Sequence, residues 1–126
     1  MDDQSKPQMV EANKEELESE YASNTFFVPT VWDLKILFGE LSSTNQQEVD
    51  WHTSMTLPWA QAKLMAYYLD INIAAHEFSN GPIRVHESLL PPVPPPIRDV
   101  DKNNPTLQPL IDFIIERRKR FLESLK

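Results

Sequence analysis

Three histidines, His52, His76 and His86, and one run of cations, Arg117 to Arg120, are the residues best equipped for chemistry in this chain. His52 stands two residues after Asp50, a step that sets both side chains on one face of a strand. A metal site needs three or four ligands, and spacing supplies no third one here. His76 falls between apolar helix positions and reads as a hydrogen-bonded interface or core residue. Trp51, Trp59 and Tyr67 with His76 offer the side chains for a small-ligand pocket, which keeps a binding protein or minor enzyme open as an alternative. The serines and carboxylates show no nucleophile elbow and no paired-carboxylate spacing. No catalytic, cofactor-binding or metal-ligating residue is assigned, and no cofactor is expected.

The totals exclude further chemistry. The chain has no cysteine, which removes disulfides, thiolate metal sites and cysteine nucleophiles. It has two glycines, Gly39 and Gly81, against eleven prolines, so no glycine-rich phosphate cradle can be assembled. A formal net charge of -7 repels nucleic acid phosphates and anionic lipid. Arg117 to Arg120 is therefore read as a solvated helix end, with weak nucleic acid binding as the alternative. The acidic glutamates at 15, 16, 18 and 20 are a second counterpart for that run, from the same or another copy of the chain. No apolar run reaches the roughly 20 residues of a membrane span, and a cytoplasmic protein without membrane contact is expected.

The elements that position these residues follow from patterning. Residues 1–22 form an acidic tail, mostly disordered, with a short helix expected near Glu15 to Tyr21. Residues 23–88 form a β-β-β-α core. Strands are expected over Phe26 to Val31 and Leu34 to Leu41, the second pointing Leu34, Ile36 and Phe38 one way and Lys35 and Leu37 the other. A third strand alternates Val49, Trp51, Thr53, Met55 and Leu57 with Asp50, His52, Ser54 and Thr56. Thr56 is then the candidate cap of a helix with Leu57 and Pro58 in its first turn, ending at Asn80 and Gly81. Residues 89–104 are rich in proline, and residues 105–126 read as an amphipathic helix with Thr106 as its candidate cap. The class is α+β: a small antiparallel sheet of about three strands packed on one long helix, plus a C-terminal helix after a polyproline strap.

The long helix is apolar around too much of its circumference. Leu64, Tyr68, Ile71, Ala75 and Phe78 form one flank and Ala62, Met65, Leu69 and Ile73 another, with Gln61, Asn72 and His76 between them. A surface helix needs an apolar arc of about 100°, and this one is roughly twice as wide. It therefore needs two packing partners. The sheet is one; the other is the C-terminal helix or the same helix of a second subunit. The dimer reading assigns the interface to Gln61, Met65, Tyr68, Leu69, Asn72, Ile73 and His76, the polar members fixing register.

The run from Pro91 to Pro96 should adopt polyproline II, so that Leu89 to Ile97 spans roughly 28 Å at about 3.1 Å per residue. Its two PxxP pairs are out of register with Arg98 for a recognition ligand, because the position that would need proline is Val93. The segment reads as a rigid strap, with an unidentified protein partner on the strap itself as the alternative, and the helix beyond it docks through Leu107, Ile111, Ile114, Phe121 and Leu125 on its own subunit, its neighbour or that partner.

The order of features from Asn24 to Ile83 resembles the domain of unknown function 3467 family of short bacterial and archaeal proteins. The carrying residues are Asn24-x-Phe26, Asp33 with Phe38-Gly39, the alternating strand through Met55, Ala62-Lys63, Asn72-Ile73, Glu77 and Gly81-Pro82-Ile83. The resemblance covers about half the chain and implies three strands followed by a long helix. It implies no activity. The most direct functional expectation is a non-catalytic, dimeric protein-protein interaction module.

Overall fold

The computed structural model describes residues 14–45 and 47–126. Its order is a 3-10 turn at Lys14–Glu16, strands β1 (Asn24–Pro29), β2 (Asp33–Leu41) and β3 (Val49–Pro58), helix α1 (Trp59–Asn80), 3-10 turns at Glu87–Leu89 and Asp99–Asp101, and helix α2 (Leu107–Ser124). The three strands form one antiparallel sheet in the order β1-β2-β3. This is the expected α+β class and element order. The chain divides into two compact units, the first ending at Ala66 and the second covering Tyr67–Lys126, with the boundary inside α1. Most of the expected acidic tail, residues 1–13, lies outside the described residues. The expected helix near Glu15 to Tyr21 is replaced by the single turn Lys14–Glu16, since Leu17 and Tyr21, both exposed, give too little burial to sustain more.

In the first unit, Thr30 builds the tight connection between β1 and β2. Its hydroxyl accepts the N–H groups of Trp32 (3.1 Å) and Asp33 (3.0 Å) and donates to the Asp33 carboxylate at 2.9 Å. The backbone N–H of Thr30 donates to the carbonyl of Asp33 at 2.9 Å. A hydroxyl bonding its own backbone two and three residues on favours a turn over continued strand. That ends β1 at Pro29, two residues earlier than the expected Val31.

The alternation in β2 is as expected. Ile36 is 2% exposed, the one buried hydrophobic residue among the described residues; Leu34 and Phe38 on the same face are half-buried and Lys35 is exposed.

The alternation in β3 is corrected. The register runs Ile36 to Met55 and Phe38 to Thr53, but Gly39 pairs with Trp51, which leaves His52 as an extra residue. This two-against-one bulge flips the strand: Thr53, Met55 and Leu57 share the face of Ile36, whereas Trp51 and Val49 share the face of Leu37 and Leu41. The Trp51 ring accordingly meets Phe26, also on that face, at 6.3 Å between centroids. Gly39 makes the bulge possible, because a Cβ there would lie 2.5 Å from the carbonyl oxygen of Asp50 and 2.9 Å from the Trp51 ring. The result is a sheet with apolar side chains on both faces.

The helix start also departs from expectation. Thr56 does not cap α1; it pairs with Lys35, and β3 continues to Pro58 opposite Asp33. A proline without an N–H is tolerated at a strand end as readily as in a first helical turn, and pairing wins. Trp59 then opens α1 directly, its indole N–H donating to the carbonyl of Thr30 at 2.9 Å.

In the second unit, α1 ends as expected. Gly81 takes φ +88°, and its N–H reaches the carbonyl of Glu77 at 2.8 Å. The strap is extended, with φ/ψ of -64°/141° at Leu90 and -69°/152° at Arg98, both polyproline II values. Pro91, Pro94 and Ile97 are half-buried while Pro92, Val93, Pro95 and Pro96 are exposed. A repeat of three is that of polyproline II, so one edge of the strap is covered. Thr106 precedes α2 without capping it: the residue is already helical and its hydroxyl donates to Asn104 Oδ1 at 2.7 Å.

Replacing Gly39 by alanine should destabilise the fold by about 1–3 kcal/mol through forced backbone displacement at the bulge. Gly81→Ala, which meets open space but keeps a positive φ, should cost about 1–2 kcal/mol. Urea unfolding midpoints measure both; an unshifted midpoint for Gly39→Ala would contradict the bulge geometry.

Candidate functional site

Helix α1 carries the face to which association was assigned, and none of its 22 residues is buried. Leu69 is 52% and Tyr68 58% exposed, Ile73 is exposed too, and Met65 is half-buried. Two polar members of the face, Asn72 and His76, are engaged along their own helix. Asn72 Nδ2 donates to the carbonyl of Tyr68 at 2.7 Å. Asn80 Nδ2 donates to the carbonyl of His76 at 3.1 Å and lies 3.4 Å from its Nδ1. Gln61 is exposed. The second flank is no drier: Leu64, Ile71 and Phe78 are all exposed. At about 25 cal/mol per Å² of apolar surface, each large side chain left in water forgoes roughly 1.5–3 kcal/mol of burial.

In the second unit, α2 turns Leu107, Ile111, Arg118, Leu122 and Leu125 inward as a half-buried row, with Ile114 and Phe121 more open on its margin. Arg118 interrupts an otherwise apolar row for a reason the sequence does not show: its Nε donates to the carbonyl of Pro91 at 2.9 Å. Pro91 to Ile97 covers roughly 19 Å at 3.1 Å per residue, and Arg118 back to Leu107 about 16 Å at 1.5 Å per residue. Strap and helix are thus matched in length, and the guanidinium ties one end of the strap to α2. A cleft of about 370 Å³ opens between Ile73 and Glu77 of α1, the Ile83 to Val85 segment, and Phe121 and Leu125 of α2. The Glu77 carboxylate at its wall accepts the N–H of Ile83 at 2.9 Å.

The proposed aromatic pocket is not assembled. Trp51 pairs at Gly39 and Trp59 follows Pro58 at the far end of β3, roughly 23 Å of strand away.

Each histidine is occupied locally. His52 Nε2 donates to the carbonyl of Tyr21 at 2.9 Å, which leaves Nδ1 to accept from the Thr53 hydroxyl at 2.7 Å. His86 Nδ1 accepts the N–H of Ser88 at 3.1 Å. Both ring nitrogens of His52 are thus engaged by Thr53 and Tyr21, while Asp50 stands opposite Glu40 in the register, so the expected Asp50–His52 pair is not formed. Among the described residues no group of three His, Cys, Asp or Glu is placed to hold a metal ion.

Within the basic run, Arg117 lies 4.8 Å over the Phe113 ring, Arg118 holds the strap and Arg120 pairs with Glu116 at 3.5 Å. Among the described residues, no helix is long and apolar enough to cross a membrane. The pairing of Trp59 with Thr30 and that of Arg118 with Pro91 were missed by sequence reasoning. Only an arginine inside an apolar stripe gave a signal for the second. Comparisons with protein-family models, curated proteins and solved structures find no match.

Arg118→Met keeps the aliphatic stem and removes the donor to Pro91. Amide exchange in α2 should then report a local opening free energy lower by about 1–2 kcal/mol, and unchanged protection would show that the strap is held without this bond.

Proposed function

We propose that this chain is a non-catalytic association module that works as a homodimer, with the α1 face of Gln61, Met65, Tyr68, Leu69, Asn72, Ile73 and His76 at the subunit contact. The observation that carries the reading is the exposure of α1: a 22-residue helix with two apolar flanks and no buried residue. An apolar face left in water at this scale marks an association surface. A second copy is the occupant because the face carries no carboxylate, lysine or arginine, so it meets itself across a two-fold axis without like-charge repulsion. The charged residues of the helix, Lys63, Asp70 and Glu77, recur at seven-residue steps on another side.

A second contact is favoured by a separate observation. Leu110 and Phe113 are exposed on α2, away from its inward row, and offer a protein partner a second apolar stripe. The ordered strap would hold that stripe at a fixed distance from the helix that precedes it.

Light scattering on the full chain should return twice 14.6 kDa. Leu69→Asp should reduce it to the single-chain value with the helical circular dichroism largely kept. A wild-type chain of single mass, or a Leu69→Asp variant that stays dimeric, would rule out this face.

A further inference from the structure

We infer that the outer edge of β3 is a strand-pairing surface for β3 of a second copy, joining two three-stranded sheets into one of six strands. The inference rests on the dimer reading and specifies a contact that reading leaves open.

Among the described residues β3 pairs only with β2, so its other side presents N–H and C=O groups with no strand partner among them. Proteins that keep such an edge single blunt it with lysine, proline, inward charges or bulges. Here the blunting devices stand at the two ends: the bulge at Trp51 and His52, and Pro58. Between them Thr53 to Leu57, TSMTL, holds no charge, no proline and no glycine, and its ladder to β2 is regular. β1, the opposite edge, is shorter at six residues and ends in Pro29.

Symmetry selects the register. An antiparallel pair about a two-fold axis normal to the sheet keeps paired residues on the same face, so each residue meets one an even number of positions away. Centring the axis on Met55 uses the whole regular stretch: Met55 faces its own copy, Thr53 faces Leu57, and Ser54 faces Thr56. The Thr53, Met55 and Leu57 row that shares the face of Ile36 then continues into its copy, apolar against apolar. Asp50, the one charged residue of β3, falls outside the paired stretch.

The absence of native cysteine makes the test direct. Directly opposed residues of an antiparallel pair have Cα atoms about 4.5–5.5 Å apart, inside the usual disulfide range of about 4.4–6.8 Å. Met55→Cys, at a half-exposed position, should therefore form a covalent dimer under mild oxidation at least ~10-fold faster than Ser43→Cys in the exposed loop, and faster than Ser54→Cys, whose copies sit diagonally. The outward amides of Thr53 to Leu57 in the unmodified chain should be protected from exchange. A light-scattering dimer with freely exchanging β3 amides and no preference for Met55→Cys would overturn the edge and leave the helix contact standing. A dimer that cross-links at Met55→Cys and survives Leu69→Asp would support the edge and remove the helix contact. A single-chain mass would remove both.

Discussion

The governing constraint is that the sheet and both helices carry apolar side chains on more sides than are covered among the described residues. A three-stranded sheet has two faces, and here both carry large side chains, Phe27 and Met55 on one and Phe26 and Trp51 on the other. Ile36 alone among described hydrophobic residues is fully removed from water. A domain of some 60 residues shields only about 60% of the surface its unfolded chain would expose, which leaves little margin for uncovered apolar faces. Uncovered apolar faces therefore weigh on the stability of the fold itself, which is the ground on which a dimer is proposed.

The bulge at Gly39 is where that constraint is created. An uninterrupted β3 would have gathered Val49, Trp51, Thr53, Met55 and Leu57 on a single face and left the other polar. One extra residue divides the set, and a glycine with no Cβ lets the two backbones approach closely enough to permit it. Periodicity alone reads the strand, its length and its partner, but a one-residue slip inside it leaves no mark on the pattern of apolar and polar letters.

What was legible follows the same division between local and tertiary causes. Asn80-Gly81-Pro82 announced the end of α1 because its signals, a left-handed glycine and a residue that cannot continue a helix, are local. The prolines announced an extended strap for the same reason. Thr56 and Thr106 carried the letters of helix caps, but strand pairing took the first, and a hydrogen bond to Asn104 took the second. The apolar surface that α1 exposes was readable as excess apolar circumference. The bond from Arg118 to Pro91 joins residues 27 apart, and only its oddity within an apolar stripe pointed toward it.

The direct passage from Pro58 to Trp59, with the indole tied to the Thr30 carbonyl, leaves the junction of strand and helix without a hinge. Two tethers, one covalent through Pro58 and one a hydrogen bond to Thr30, converge on Trp59, so the start of the helix and the β1–β2 turn stand or melt together.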